Sequence, residues 1–325
     1  SIAFAQTPEY LNNKIDQMAD QLERQVIEWR RDFHENPELS NREFRTAEKV
    51  ANHLRSLGID VQTGVAHTGV VGLLKGGKPG KVVALRADMD GLPVKEKVDL
   101  PFASKAKGVY QENEVDVMHA CGHDGHTAML LGAAKVLADN KDKIKGTVRF
   151  LFQPAVEGAG GARYMIEDGC LEGVDEAYGI HLWNYQKYGE VGVKAGPILA
   201  AADEFEITIR GKGGHGAAPQ GSVDAVVVSA HLITALQTIV SRNTNPLEST
   251  VVSIGMINGG YNFNIIADEV VLKGTARAYT EENRVLIKTR MQEIIDGIGQ
   301  TFGAAIEFDY RDGYPPTINA EIAFE

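Results

Sequence analysis

Short apolar strands alternate with amphipathic helices from the start of this 325-residue chain to about residue 182. Four buried strands are predicted, at 69–74, 81–88, 146–153 and 176–182. The segments between them carry apolar side chains at helical spacing, as at 44–57 and 127–139. This alternation predicts an α/β domain with a mostly parallel sheet flanked by helices.

The rest of the chain has a different order of elements. From residue 203 the pattern is strand, helix, strand, strand, helix, strand, which is the ferredoxin-like arrangement. A chain of this length is expected to form two domains. We therefore predict a first domain over 8–200 that resumes at 313–325, and an inserted α+β domain over 201–312.

Composition excludes several classes of function. The net charge of −11 argues against a nucleic-acid partner. No unbroken run of about 18 apolar residues is present, so no membrane partner is expected. Two cysteines cannot form a disulfide framework.

Both ends of the sequence carry a weaker signal. Ala3, Phe4 and Ala5 resemble the end of a signal peptide, which favours a periplasmic or secreted protein over the cytoplasmic alternative. The last residues, "TINAEIAFE", have the pattern of a new amphipathic helix and suggest that the first domain is truncated here.

The segment "HACGHDGHTAML", residues 119–130, concentrates side chains that bind metals. It places His119, Cys121, His123, Asp124 and His126 directly before an apolar helix. We expect His119 and His126 to support the site and not to bind the metal, and we expect His34 to be structural.

Three predicted strands also end in polar residues. Asp88 and Asp90 follow the strand at 81–88, Glu157 follows 146–153, and His181 lies at the end of 176–182. In α/β sheets the carboxyl ends of parallel strands meet at one edge, so these side chains are expected to converge with the histidine-rich segment. Nitrogen and sulfur ligands suit zinc, manganese or cobalt better than magnesium or calcium.

From about residue 25 to 319 the chain resembles the amidohydrolase branch of the aminoacylase and carboxypeptidase G metallopeptidase superfamily. That branch includes hippurate hydrolase, N-acyl-amino-acid amidohydrolases and auxin-conjugate hydrolases. The resemblance is carried by seven blocks in family order: "RRDFHENPELS", "ALRADMDGLPV", "HACGHDGHTAMLLGAA", "FQPAVEGAGGARYMI", "GIHLWN", "RGKGGHGAAP" and "INGGYNFNIIADEVVLKGTAR".

The resemblance implies metal-dependent hydrolysis of the amide bond of N-acyl amino acids or small peptides, with a metal-bound water as nucleophile. It implies one or two divalent transition metals (zinc, manganese or cobalt). It also implies that 8–200 is the catalytic domain and that 201–312 is a lid domain through which the protein forms a homodimer.

Particular residues match the family's functional positions. The implied metal ligands are Cys121, His123, Glu157 and His181. His215 matches a lid histidine that assists the oxyanion, in dimeric members from the partner subunit, and Asp90 matches an aspartate that supports the metal site. Asn264 and Arg277 match positions near the substrate carboxylate.

Two positions depart from the family pattern. The motif "PAEEG", whose first glutamate is the general base, here reads "PAVEG", so that position is Val156. The family's last metal ligand is a late histidine, and no histidine follows His231 in this sequence. Three interpretations stay open: a substitution that traps an inactive form, a naturally impaired member, or another carboxylate such as Glu157 acting as base. A catalytically silent relative that binds metal and ligand, and a structural zinc protein, are the rival classes.

Overall fold

A computed structural model describes residues 9–158 and 160–320. These residues divide into two compact units, one ending at Glu190 and the other beginning at Val191, ten residues before the predicted boundary. The signal-peptide-like residues 1–6 lie outside the described residues, as do residues 321–325.

Among its described residues, the first unit contains four α-helices and seven strands. The helices are α1 (Glu9–Glu35), α2 (Phe44–Ser56), α3 (His123–Asp139) and α4 (Gly161–Glu167). The strands are β1 (Asp60–Val65), β2 (Gly69–Lys75), β3 (Lys78–Asp88), β4 (Lys107–Tyr110), β5 (Asn113–Asp116), β6 (Lys145–Gln153) and β7 (Glu176–Gly179).

The main sheet of this unit has the order β1-β2-β6-β3-β7. Strand β3 runs parallel to β6 and β7, whereas the β1–β2 and β2–β6 pairs are antiparallel. The α/β class is confirmed, but the sheet is mixed, because the expected parallel pairing holds only for β6, β3 and β7. Strands β4 and β5 form a separate hairpin.

The core of the first unit lies between this sheet and the helices α1, α2 and α3. Its largest wholly buried side chains include Phe33, Leu54, Leu131, Phe150 and Phe152. Each such side chain contributes about 1.5–3 kcal/mol when it leaves water. This packing holds the carboxyl ends of β3 and β6 next to the start of α3, where the polar residues gather.

The second unit contains eight strands and two helices among the described residues. The strands are β8 (Gly196–Leu199), β9 (Ala202–Arg210), β10 (Gly214–His215), β11 (Thr250–Gly259), β12 (Ile265–Ile266), β13 (Glu269–Ala278), β14 (Ala305–Tyr314) and β15 (Thr317–Asn319). The helices are α5 (Ala225–Thr238), which continues as a π-turn over Ile239–Asn243, and α6 (Glu281–Phe302).

The predicted ferredoxin-like order is present in this unit. Strands β9, β11, β13 and β14 form an antiparallel sheet of order β11-β13-β9-β14, and α5 and α6 follow the first and third of these strands. Leu232 on α5 and Met291 on α6 are wholly buried against Ile207 and Leu272 of the sheet. The two helices therefore cover one face of the sheet.

Two short strands, β8 and β15, come directly before and after the ferredoxin-like segment in the sequence. β8 pairs with β15, so a segment before the predicted insertion runs next to a segment after it. Thr317–Asn319 is a strand, because its backbone pairs with β8. The prediction of an amphipathic helix from residue 317 is therefore wrong for these three residues. The insertion itself stays a prediction.

Residues Ala225–Asn243 have the length and hydropathy of a membrane-spanning helix. The buried side of this helix, with Val228, Leu232, Leu236 and Ile239, packs against the sheet of the second unit. A core helix satisfies the same two criteria, so the composition of this segment does not by itself indicate a membrane span.

Candidate metal centre

The histidine-rich segment forms the turn before α3 and the first turn of that helix. Gly122 precedes the helix with φ +86°, a backbone conformation that favours glycine. A Cβ at Gly125 would lie 2.4 Å from the Cδ1 of Leu182, so the side chain of Leu182, in the segment after β7, packs directly on this glycine. The helix begins at His123, not at the predicted residue 127, because its first turn is polar and buried together with the end of β3.

Three of the predicted ligands come together at this point. The Sγ of Cys121 lies 3.5 Å from the Nε2 of His181, and one ligand atom each of Cys121, His123 and His181 lies within 4.8 Å of the others. The Oε1 of Glu157 is 3.7 Å from the Nε2 of His123. β7 ends at Gly179, two residues before His181, which therefore lies in the following loop and not in the predicted strand.

In both His123 and His181 the Nδ1 atom makes a backbone hydrogen bond, which leaves the Nε2 atom to bind a cation. The Nδ1 of His123 donates to the backbone oxygen of Asp90 at 2.8 Å, and the Nδ1 of His181 donates to the backbone oxygen of Leu182 at 2.7 Å. Among the described residues, the buried Nε2 of His123 has no hydrogen-bond partner. An orphaned buried nitrogen next to a thiol, an imidazole and a carboxylate fits a transition metal with nitrogen, sulfur and oxygen ligands.

Charge around His123 supports the same assignment. Burial opposes the charged ring, but Asp90, the nearby thiol of Cys121 and the carboxylate of Asp88 raise the pKa of His123 to about 11. Burial lowers the pKa of His181, so its ring is neutral. The carboxylates therefore favour a positive charge at His123, and a metal ion supplies such a charge when it replaces a proton.

Asp90 connects the metal centre to two neighbouring segments. Its Oδ2 accepts hydrogen bonds from the Oγ of Ser40 at 2.6 Å and from the backbone N–H of Glu157 at 2.9 Å. Burial disfavours its charged form, yet these bonds and His123 hold the pKa of Asp90 below its usual value. Asp90 thus orients two predicted ligands: it binds the ring of His123 and the backbone N–H of Glu157.

His126 is positioned for support and not for metal binding. Its Nδ1 donates to Asp88 at 2.6 Å, and its Nε2 accepts the backbone N–H of Leu182 at 2.8 Å. Asp88, His123 and His126 are close enough to hold a cation, but both ring nitrogens of His126 are already engaged. Through Leu182, His126 instead fixes the loop that carries His181.

His119 is buried beside this centre without a direct partner. Neither of its ring nitrogens forms a hydrogen bond within the part of the chain that the structure describes. Burial lowers the pKa of His119 to about 4, so the ring is neutral. Neither of the two groups of possible metal ligands found among the described residues includes His119.

A buried network behind α3 fixes the first turn of the helix. His34, at the end of α1, donates to Asp124 at 2.8 Å and to Glu96 at 3.0 Å, and the Nε of Arg30 lies 2.8 Å from the same Asp124 oxygen. The hydrogen bond to Asp124 is the main cause that raises the pKa of His34, against the effect of burial. The structural role expected for His34 is consistent with this arrangement.

This network predicts a pH-dependent contribution to stability. A raised folded-state pKa means that His34 stabilises the fold fully below its unfolded pKa of about 6.5 and loses that contribution as pH rises through the folded pKa. We expect His34→Gln to cost about 2 kcal/mol at pH 6, the scale of a charged hydrogen bond, and progressively less at higher pH. Urea unfolding followed by tryptophan fluorescence measures this, because both tryptophans, Trp29 and Trp183, lie in the first unit.

His53 provides a control with the opposite sign. Burial lowers the pKa of His53, so its contribution is complete above pH of about 6.5 and is lost as pH falls. The difference between wild type and His53→Gln should be constant from pH 7 to 9, where the His34 difference shrinks. A His34→Gln difference that grows with pH would contradict the assignment.

The three residues that the resemblance assigned to a lid lie in the second unit. His215 on β10 pairs with Ile265 on β12, and the backbone oxygen of Asn264 accepts the N–H of Gly216 at 2.9 Å, so His215 and Asn264 are neighbours. Arg277 lies near the end of β13, where its Nη1 donates to the side chain of Thr275 and to backbone oxygens.

Sequence reasoning missed several residues that hold the centre in place. Ser40, Glu43 and Glu96 act through contacts distant in sequence, and the hydrogen bond between Asp88 and His126 also joins distant segments. For Ser40, the local signal was its place at the end of the block "RRDFHENPELS".

Comparison with known proteins gives the family. Residues 84–324 match the model of peptidase family M20/M25/M40. An N-acetyl-L-cysteine deacetylase of Bacillus subtilis (strain 168) is 45% identical over 300 residues, covering 92% of this chain and 70% of the relative. An N-acyl-L-amino acid amidohydrolase of Geobacillus stearothermophilus is 44% identical over 307 residues, covering 94% and 81%.

A solved structure supports both the fold and the use of divalent metals. The Bacillus subtilis YXEP protein, a dinuclear metal-binding peptidase of the M20 family, superposes with a TM-score of 0.77 at 37% identity, covering 93% of this chain and 77% of that one. The family match over 84–324 takes in part of the first unit, nearly all of the second and every predicted site residue. The chain therefore belongs to peptidase family M20/M25/M40, and it is an enzyme of the amidohydrolase and metallopeptidase type.

Proposed function

We propose that the protein hydrolyses the amide bond of N-acyl amino acids or small peptides, with Cys121, His123, Glu157 and His181 as metal ligands. The observation that carries this proposal is the convergence of the three nitrogen and sulfur ligands, with a carboxylate oxygen 3.7 Å from the orphaned Nε2 of His123. The named relatives that act on N-acyl amino acids support the substrate class.

The division of roles follows from the ligand chemistry. A divalent zinc, manganese or cobalt ion bound here, alone or as one of two, supplies an activated water and polarises the carbonyl. Asp90 keeps His123 and the backbone of Glu157 in place for that ion. His126 holds the loop of His181 through Leu182.

His215 is suited to the role of hydrogen-bond donor to the oxyanion. Its Nδ1 accepts the backbone N–H of Ala217 at 3.1 Å, so Nε2 is the ring nitrogen that remains to donate a hydrogen bond. A donor of this kind stabilises the charge that develops on the carbonyl oxygen. Asn264, its neighbour, and Arg277 are proposed to contact the substrate carboxylate.

A second candidate function is favoured by Val156. A valine cannot transfer a proton, and general-base catalysis is typically worth about 10²–10⁴-fold. The alternative is therefore a catalytically impaired or silent member that binds metal and ligand. The two functions share the metal centre and differ only in turnover.

The lid unit has features that support a homodimer. Strand β11 lies at the edge of its sheet, so one side of its backbone is unpaired within that sheet. Met256 and Ile257 on β11 are more than half exposed, and Val226 and Val227 at the start of α5 are also exposed. Exposed apolar side chains and an open sheet edge favour pairing with a second copy.

An inserted lid at 201–312 and export from the cytoplasm also remain proposals.

The test is an assay of hippurate and N-acetyl amino acids after addition of manganese, cobalt or zinc, repeated after chelation. We expect metal-dependent release of the amino acid and retention of the fold when the metal is removed, because the first unit has its own hydrophobic core. Tight metal binding without turnover would favour the silent member. Unfolding on chelation would indicate a structural zinc site.

A further inference from the structure

The loop that carries Glu157 begins with an unusual backbone conformation. Ala155 has φ +52°, which is the left-handed region that a residue other than glycine rarely occupies. The residue is wholly buried, so it cannot relax into water. Such a conformation persists only where neighbouring groups hold it in place.

The carbonyl of Ala155 accepts the backbone N–H groups of Gly160 and Gly161, and its own N–H is held by the carboxylate of Glu43. The Oε1 of Glu43 accepts the backbone N–H of Ala155 at 2.8 Å, and its Oε2 accepts the hydroxyl of Thr68 at 2.5 Å. Glu43 is completely buried. Each of its oxygens therefore accepts a hydrogen bond from a different segment of the chain.

Glu43 lies at the start of α2, where a carboxylate would ordinarily cap the helix, yet its side chain binds Ala155 instead. Glu43 is the N-cap residue of α2, but its side chain makes no capping hydrogen bond. Glu38 does this instead, since its two carboxylate oxygens accept the backbone N–H groups of Arg45 and Thr46 at 3.0 and 2.8 Å. The side chain of Glu43 is thus directed to the loop of Ala155.

A second buried carboxylate fixes the other side of the same turn. Asp90 accepts the backbone N–H of Glu157 at 2.9 Å, two residues after the contact of Glu43. The backbone on both sides of position 156 is therefore anchored by a buried acceptor. This anchoring determines where the side chains at 156 and 157 point.

We propose that Glu43 is a positioning residue for the metal centre, which acts through the backbone of Ala155 to orient Glu157 and the side chain at position 156. The inference rests on the proposed role of Glu157 as a metal ligand. Groups that orient a metal ligand typically change metal affinity about 10–100-fold when they are lost.

Two substitutions of similar size separate positioning from packing. Glu43→Gln keeps an oxygen that accepts the Ala155 N–H, whereas Glu43→Met fills the same space without an acceptor. We expect Glu43→Met to weaken zinc or manganese binding, measured by calorimetry, about 10–100-fold, and Glu43→Gln to stay within about 3-fold of wild type. Thr68→Val removes only the other partner of Glu43, so it should leave metal affinity within the same 3-fold.

Hydrogen exchange gives a readout that does not need metal. In the metal-free wild type, labelled with ¹⁵N-alanine, the Ala155 amide should be protected, and Glu43→Met should remove that protection while Glu43→Gln retains it. An Ala155 amide that exchanges in wild type as fast as an exposed loop would overturn the inference, even if Glu43→Met does not fold. Equal metal affinity of folded Glu43→Met and wild type would also overturn it. A wild type that binds no metal at all, with a protected Ala155, would instead refute the proposed function.

Discussion

Val156→Glu should increase the hydrolysis of N-acyl amino acids by the metal-loaded protein about 10²–10⁴-fold, the usual contribution of a general base. Position 156 immediately precedes Glu157 in the turn after β6, and the backbone N–H groups on both sides of it are bound by the buried carboxylates of Glu43 and Asp90. The backbone that carries a glutamate at position 156 is therefore already fixed in one conformation. The gain should appear in kcat, because a base acts on the reacting water and not on substrate binding.

Val156→Gln is the matched control for this substitution. It has the size and polarity of glutamate but cannot accept a proton, so its activity should stay close to that of the unchanged chain. Calorimetry should show equal metal affinity in all three proteins. If Val156→Glu binds metal as tightly as wild type and is no more active, position 156 is not the place of the missing base.

His123→Ala should have the largest effect on metal binding. The side chain is wholly buried, and its Nε2 lies near both Glu157 and Asp88. Loss of a direct ligand should weaken zinc or manganese binding more than about 100-fold, the upper end of the effect expected for a supporting residue. The measurement is calorimetry on protein whose near-ultraviolet circular dichroism shows an intact fold.

His126→Ala distinguishes the two clusters that could hold a cation. Since both ring nitrogens of His126 are already hydrogen-bonded, it should behave as a supporting residue and weaken binding about 10–100-fold or less. An effect of His126→Ala equal to or larger than that of His123→Ala would show that the ion binds between Asp88, His123 and His126.

Sequence reasoning succeeded where the information is local or follows from sheet geometry. The convergence of Cys121, His123 and His181 followed from the rule that the carboxyl ends of parallel strands share an edge, and β3, β6 and β7 are parallel as that rule requires. The ferredoxin-like order of the second unit could also be read from the order of apolar strands and helices.

Other features had no local signal. β1 was not predicted, because most of its side chains are exposed and no apolar alternation marks it. The start of α3 at His123 was missed because its first turn buries polar residues, which hydrophobic periodicity does not identify. Glu43 contacts Ala155 across 112 residues of sequence, so only the folded chain shows what its carboxylate does.

The most direct test of the metal centre is anomalous diffraction from crystals of the protein soaked with zinc. We predict a peak within about 2.3 Å of the Sγ of Cys121 and about 2.0–2.1 Å from the Nε2 atoms of His123 and His181, with an oxygen of Glu157 turned towards it. A peak bound by Asp88 and His126, or no peak near Cys121 in crystals that contain zinc elsewhere, would contradict this account.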